Sequence, residues 1–341
     1  KYFKIGADKG NNESMFNYEN LLFNGEGVEM NKEEAFKYYK KAIEGDNINA
    51  MDSAALMLFE GLGIPQNKEE GIKYFKMAAD KGHESASFKY ANILYRGDGI
   101  PENKDEALKY YKKAADMGNA ASTYMYGFCL LNGISIQMNI EEAIKYFKIA
   151  ADKGHENAII SYANALWTGN GIQANREEAA KYYKMAADLG NEEMCYTYGC
   201  ILLNSKKFNL EHICETSDIK LEAIKYFKIA ADKGFIKAIF DYANILFKGD
   251  GIPIDKIEAA KYYKIGADKG HTESLLKYAN LLISGDGVKA DNEEAAKYYK
   301  LGADNNILDA IKEYAKMLYN GNGVLKNKKE ASKYFKNAAD K

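Results

Sequence analysis

Between Asp105 and Gly118 the apolar residues Ala107, Tyr110, Tyr111, Ala114 and Ala115 recur at i, i+3, i+4, i+7 and i+8. That spacing lays one apolar stripe along an α-helix. Lys109 and Lys112 fall on the opposite side, and Asp105 precedes Lys109 by four, an ion-pair spacing that marks a solvated face. A second stripe lies just upstream. From Glu84 to Tyr95, Ala86, Tyr90, Ile93 and Leu94 share one helical face, with Ala91 at its margin. The pattern therefore predicts two amphipathic helices in succession, neither able to bury its stripe alone.

The pair recurs along the whole chain. Lys-Tyr-Tyr-Lys or Lys-Tyr-Phe-Lys begins at Lys1, Lys37, Lys73, Lys109, Lys145, Lys181, Lys225, Lys261, Lys297 and Lys333 (the first copy reads Lys-Tyr-Phe-Lys). Successive copies lie 36 residues apart, except for the interval of 44 between Lys181 and Lys225. A fixed period of this size is the signature of stacked repeats. Nine first helices and ten second helices are expected.

Turn and cap signals fit the same frame. Gly97-Asp98-Gly99-Ile100 separates the helices, and Gly-x-Gly-Ile/Val returns at Gly25, Gly61, Gly169, Gly249, Gly285 and Gly321. Glycine supplies the positive φ that stops a helix. A phosphate-binding reading of these glycines fails, because such a loop follows a strand and opens directly into a helix. Asn103 with Glu106 forms a capping-box pattern, repeated from Asn31/Glu34 to Asn327/Glu330. Gly118 and its equivalents Gly82, Gly154, Gly190, Gly234 and Gly270 close the second helix. The small residue Ala91 recurs as Ala or Gly in seven other units and gives way to Glu19 in the first.

These residues resemble the Sel1-like repeat, a relative of the tetratricopeptide repeat. The resemblance rests on Ala-x3-Tyr-Ala in the first helix, Gly-x-Gly-Ile/Val in the turn, and Glu-Ala-x-Lys-Tyr-Tyr-x-x-Ala-Ala-x-x-Gly in the second helix. It covers essentially the whole chain, residues 1–341, as one solenoid. Two departures stand out: Tyr110 and its equivalents replace the family's common Trp, and the sixth turn lacks Gly-x-Gly. The resemblance implies an all-α, right-handed α/α superhelix, first helices concave and second helices convex. It implies a non-catalytic adaptor or scaffold for protein complexes, including membrane-associated degradation and signalling complexes. Some family members join such repeats to a kinase-like domain. A structural part of a permanent assembly and the regulatory arm of a larger enzyme remain alternatives.

Composition narrows the classes. Net charge is −2, with 47 basic and 49 acidic residues, so nothing global favours a nucleic acid partner. An RNA-reading solenoid would need a groove lined with Lys or Arg. No apolar run approaches a membrane span. Cys129, Cys195, Cys200 and Cys214 share no repeat position, which favours a reducing compartment and a cytoplasmic location. The chain opens on Lys1 inside a repeat helix and reads as an excerpt of a longer protein.

A partner surface is expected on the first helices. Phe88, Asn92 and Tyr95 are placed opposite the buried stripe. The Asn recurs as Asn20, Asn164, Asn244 and Asn280, and the flanking aromatics recur at Phe16, Tyr124, Tyr196, Phe240, Phe23, Phe59, Trp167, Phe247 and Tyr319. Amides pair with an extended peptide backbone, and aromatics add contact area at small entropic cost. The competing reading packs the aromatics against neighbouring units and leaves the Asn a local role. Side chains of Asn92 and Asn164 open to the concave face are the test. The irregular stretch 204–221 carries Ser205 to Phe208 in place of the turn glycines and adds Glu211, His212 and Cys214; a tolerated surface insertion, a metal and a partner-contacting loop are the options. His83, His155 and His271 each follow a helix-closing Gly and read as helix-start residues. No catalytic set, cofactor or metal site is assembled.

Overall fold

The computed structural model describes residues 2–8, 10–210 and 218–340, with the side chains of Asp8 and Asn12 excepted. All regular structure among them is α-helical, in twenty helices. Nine are first helices and ten are second helices. The remaining one, α13 (Ser205–Phe208), is a single turn. The chain divides into two compact units, Lys1–Ala174 and Asn175–Lys341.

In the first unit, α4 (Ile48–Glu60), α5 (Lys68–Asp80), α6 (Glu84–Arg96) and α7 (Lys104–Asp116) show the working of the repeat. Each helix packs on the one before it and the one after it. One apolar cluster runs through successive repeats, from Met51 and Phe75 through Tyr90 and Tyr111 to Leu130. This is the quasi-one-dimensional packing of an α solenoid. The second unit repeats it with α14 (Ile219–Asp232), α15 (Ile236–Lys248), α16 (Lys256–Asp268), α17 (Thr272–Ser284), α18 (Asn292–Asp304) and α19 (Leu308–Asn320).

Side-chain caps fix where most helices start; α15 and α19, which follow Phe235 and Ile307, have none. Asn31, Asn67, Asn103, Asn139, Asn175, Asp255, Asp291 and Asn327 each accept the backbone N–H three residues on. The Asn caps also donate their amide to the Glu at that third position, as Asn103 does to Glu106 at 3.2 Å. First helices use a different cap at the equivalent place. There His83, His155 and His271 accept a backbone N–H on Nδ1, as Asn47, Asn119 and Asn191 do on Oδ1.

Repeats are tied to one another by a tyrosine at the position where the family commonly has Trp. Tyr110 stands edge-on to Tyr90, ring centroids 4.9 Å apart, and donates to Asp80 at the end of the preceding second helix. Tyr226, Tyr262 and Tyr298 do the same to Asp188, Asp232 and Asp268. The edge-on pair suits the ring quadrupoles. A Trp has no hydroxyl to reach that aspartate, so the departure from the family pattern adds a link between repeats.

In the later turns the second glycine has a further reason beyond its positive φ. A Cβ at Gly323 would stand 2.0 Å from the backbone oxygen of Asn292, and one at Gly287 2.3 Å from that of Lys256. The turn leans directly on the start of the preceding second helix.

Candidate functional site

The face predicted to hold a partner packs into the scaffold as the competing reading has it, and Asn92 is bonded within it and not fully open. Phe88, Asn92 and Tyr95 do not stand opposite the core. They ring the side chain of Tyr111, which is fully buried. The rings of Phe88 and Tyr95 lie 6.3 and 6.1 Å from it, and its hydroxyl donates to Asn92 Oδ1 at 2.7 Å. The physical reason is the small residue at Ala91, which lets the second helix approach until its aromatic ring wedges beside Asn92. Each first helix therefore buries a wide arc, and this triplet marks its edge.

The same bond recurs. Tyr39 donates to Asn20 at 3.0 Å, Tyr263 to Asn244 at 2.7 Å and Tyr299 to Asn280 at 2.6 Å. Nineteen residues separate the partners each time. Where the second helix carries Phe instead, the first helix has no Asn: Phe75 faces the slot of Leu56, Phe147 that of Phe128, Phe227 that of Cys200 and Phe335 that of Lys316. Tyr183 and Asn164 keep the rule in sequence. A buried hydroxyl without a partner costs about 1–3 kcal/mol, and every one of these rings but exposed Phe335 is buried. The amide is thus present where the scaffold has a hydroxyl to satisfy.

That bond also fixes the amide's direction. Asn20, Asn92 and Asn244 are half-buried, while Asn164 and Asn280 are exposed. With Oδ1 accepting from tyrosine, the NH2 groups of Asn20, Asn92, Asn244 and Asn280 have no partner among the described residues. The face offers donors.

The predicted aromatics are half-buried, except buried Phe59 and exposed Tyr319. Tyr124 lies 5.4 Å from the Phe147 ring and stacks at 4.8 Å on His155; Tyr196 lies 5.5 Å from Phe227; Phe240 lies 6.1 Å from Tyr263. The aromatic after the Asn is covered by a cation from the first turn of its own second helix. Lys104 stands 5.6 Å over Tyr95, Lys68 5.0 Å over Phe59 and Lys256 5.3 Å over Phe247. Trp167 is half-buried. The tyrosine hydroxyls are held protonated by burial, Tyr39 and Tyr263 being pushed up to about 12.

Two clefts open on this face at the same register of the repeat. In the first unit a cleft of about 220 Å³ lies between α4, α5 and α6. In the second a cleft of about 590 Å³ lies between α17, α18 and α19. Leu56, Phe75 and Arg96 of the first correspond to Asn280, Tyr299 and Asn320 of the second.

Elsewhere the chemistry is sparse. Among the described residues no cluster of His, Cys, Asp and Glu is arranged to hold a metal, and no helix is long and apolar enough to cross a membrane. Glu211, His212 and Cys214 lie outside the described residues. The stretch before them is ordered as α13, with Ser205 and Leu210 buried and Arg176 5.2 Å over the Phe208 ring. Glu19, which replaces the small residue in the first unit, is fully buried with neither carboxylate oxygen partnered. Burial alone raises its carboxyl to about 8.

Comparison with curated proteins yields no relative. Among solved structures, the chain is similar to c5321, a protective antigen of uropathogenic Escherichia coli displaying an SLR fold. Identity is 22% and the TM-score 0.66, over 99% of this chain and 78% of that one. It is also similar to a Sel1 repeat protein from Oxalobacter formigenes, at 27% identity and a TM-score of 0.58, over 66% of this chain and 89% of the other. The Sel1 repeat signature itself matches residues 13–47, 48–83, 85–119, 120–155, 157–191, 216–235, 236–271, 272–307 and 308–341. With nine matches spread along nearly its whole length, the chain belongs to the Sel1 repeat family.

Proposed function

We propose that this chain is a non-catalytic scaffold in which the first-helix face of each unit holds an extended peptide segment of a protein partner. Sel1 repeat proteins are in general scaffolds for protein interaction. The observation that carries the reading here is the set of oriented amides. Asn20, Asn92, Asn244 and Asn280 have their carbonyls taken by tyrosine and their NH2 groups unclaimed. Peptide carbonyls are the natural acceptors for such donors, and half-buried aromatics beside them supply contact area without much loss of side-chain freedom.

Two of the rim lysines are paired within the scaffold, which favours a polypeptide over RNA. Lys89 is paired to Asp52 at 2.8 Å and Lys68 to Asp98 at 2.6 Å, so these cations are already neutralised within the scaffold. A reducing, cytoplasmic setting goes with this reading: the thiols of Cys129, Cys195 and Cys200 are free, and burial pushes that of Cys129 up to about 11.

The test uses a substitution the chain has already made in its second repeat. Exchanging these four Tyr–Asn pairs for Phe–Leu (Asn20→Leu with Tyr39→Phe, and so on at 92/111, 244/263 and 280/299) removes their donors without orphaning a hydroxyl. Wild-type chain immobilised in an extract of its source is expected to retain a partner that the exchanged chain, equally folded by circular dichroism, releases. Equal retention by both would overturn the proposal.

A further inference from the structure

The two clefts share a position in the repeat, so the opening itself is a consequence of repeat geometry. What differs is the size and the charge. The larger second-unit cleft mixes Phe247, Leu281, Ile283 and Met317 with amides, and its charges Glu313 and Lys316 pair internally at 2.6 Å. The first-unit cleft has Leu56 at its floor, over the buried rings of Phe59 and Phe75, and charged walls. Its volume of about 220 Å³ falls below the roughly 300 Å³ at which pockets begin to hold drug-sized molecules. It is the size for one side chain.

The charges sort into two kinds. Lys89 and Asp98 are spoken for, by Asp52 and Lys68. Glu60 and Arg96 are exposed and have no ionic partner among the described residues. Glu60 is moreover the last residue of α4, where the helix carbonyls disfavour an anion by about 0.3–1 kcal/mol. Other first helices end in Asn24, Arg96, Asn132, Thr168, Leu203, Lys248, Ser284 or Asn320, with no acid among them. Nothing in the scaffold compensates Glu60. A cation from outside would do so, and Arg96, one repeat further on, awaits an anion.

We propose that this cleft is a specificity pocket for a peptide carrying a charge-polarised triplet: one apolar side chain seated on half-buried Leu56, with a basic neighbour directed to Glu60 and an acidic neighbour directed to Arg96. Asn92, on the same wall as Arg96 and one helical turn before it, donates its free NH2 to the backbone between them. The inference rests on the scaffold reading above and adds the partner's side-chain pattern and its direction along the repeats.

A displayed library of random heptapeptides, selected on the full immobilised chain, tests it. Wild type is expected to enrich peptides with one apolar residue between a basic and an acidic residue, in one fixed order. Glu60→Arg combined with Arg96→Glu is expected to enrich the reverse order, and each single reversal to weaken the wild-type peptides about tenfold, or 1.4 kcal/mol. Both positions are exposed, and unfolding curves matching wild type confirm that the fold is kept. Enrichment of the same peptides by wild type and the double reversal would overturn the pocket while leaving the scaffold reading standing. No enrichment over an unrelated helical protein would overturn both.

Discussion

The hydroxyl of Tyr111 donates to Asn92 Oδ1 at 2.7 Å, across nineteen residues and two helices. Tyr111 is 0% exposed, so its hydroxyl has no recourse to water if the amide is removed. Asn92→Leu is expected to destabilise the fold by about 1–3 kcal/mol, the cost of an orphaned buried donor. Tyr111→Phe should cost less, about 0.5–1.5 kcal/mol, because half-buried Asn92 can turn to solvent. The double exchange should recover most of the loss, since Phe75 with Leu56 is the same arrangement one repeat earlier. A double-mutant cycle by urea unfolding measures the coupling; additive effects would contradict it.

Glu19 is the one charged residue at a position that is otherwise Ala or Gly, and it faces Tyr39 from the second helix packed on it. Its folded-state carboxyl is raised from 4.5 to about 8 by burial. A raised acid stabilises the fold fully below 4.5, where both states hold the proton, and loses that stability as pH rises towards 8. Among charged groups, burial outweighs any neighbour, and Tyr39 is neutral throughout this window. Glu19→Ala is expected to gain about 1–3 kcal/mol at pH 8 and to flatten the dependence. Amide hydrogen exchange over α2 (Asn12–Asn24) and α3 (Lys32–Glu44) reads it locally.

His155 caps α10 (Glu156–Thr168) through Nδ1, at 3.3 Å from the N–H of Ala158. Desolvation lowers its folded pKa below 6.5, against a smaller opposing effect of Glu156. The cap is at full strength above 6.5 and weakens as pH falls, because the unfolded chain takes the proton first. His155→Asn copies the cap used by Asn119 and Asn191. It is expected to leave stability at pH 8 within about 0.5 kcal/mol and to hold it on acidification. Exchange protection of the first turn of α10 between pH 5 and pH 8, scaled for intrinsic rate, gives the answer.

Gly270 and Gly323 both have positive φ, +82° and +69°, but a Cβ at Gly270 meets open space. Gly270→Ala is expected to cost only the left-handed backbone penalty of about 1–2 kcal/mol. Gly323→Ala adds a collision with the Asn292 carbonyl and should cost at least 1–3 kcal/mol more, as overpacking does. Similar losses for the two would show that φ alone fixes the turn.

Much of this was legible in residue spacing. The period, the caps and the glycines are local properties, each written within a few residues. The orientation of Asn92 is not local: it depends on which side of the first helix the next helix wedges its ring. The signal was nonetheless present, as the matched alternation of Tyr with Asn and of Phe with Leu, Phe, Cys or Lys. It is easy to miss because the partners lie nineteen residues apart, and 27 apart for Phe227 and Cys200 across the insertion. Glu19 was visible as an exception, but its complete burial needed the packing of α2 on α3. The chemistry of the first-unit cleft, drawn from three helices, was not visible at all.

The central claim is that partners meet the first-helix face and not the lysine face of the second helices. A photo-crosslinking residue at Arg96 or Asn280, compared with one at the exposed Lys73 or Lys261, addresses it in extract of the source. Covalent capture of a protein from Arg96 and Asn280, and none from Lys73 and Lys261, is the expected result. Capture from the lysine positions alone, or equally from all four, would contradict it.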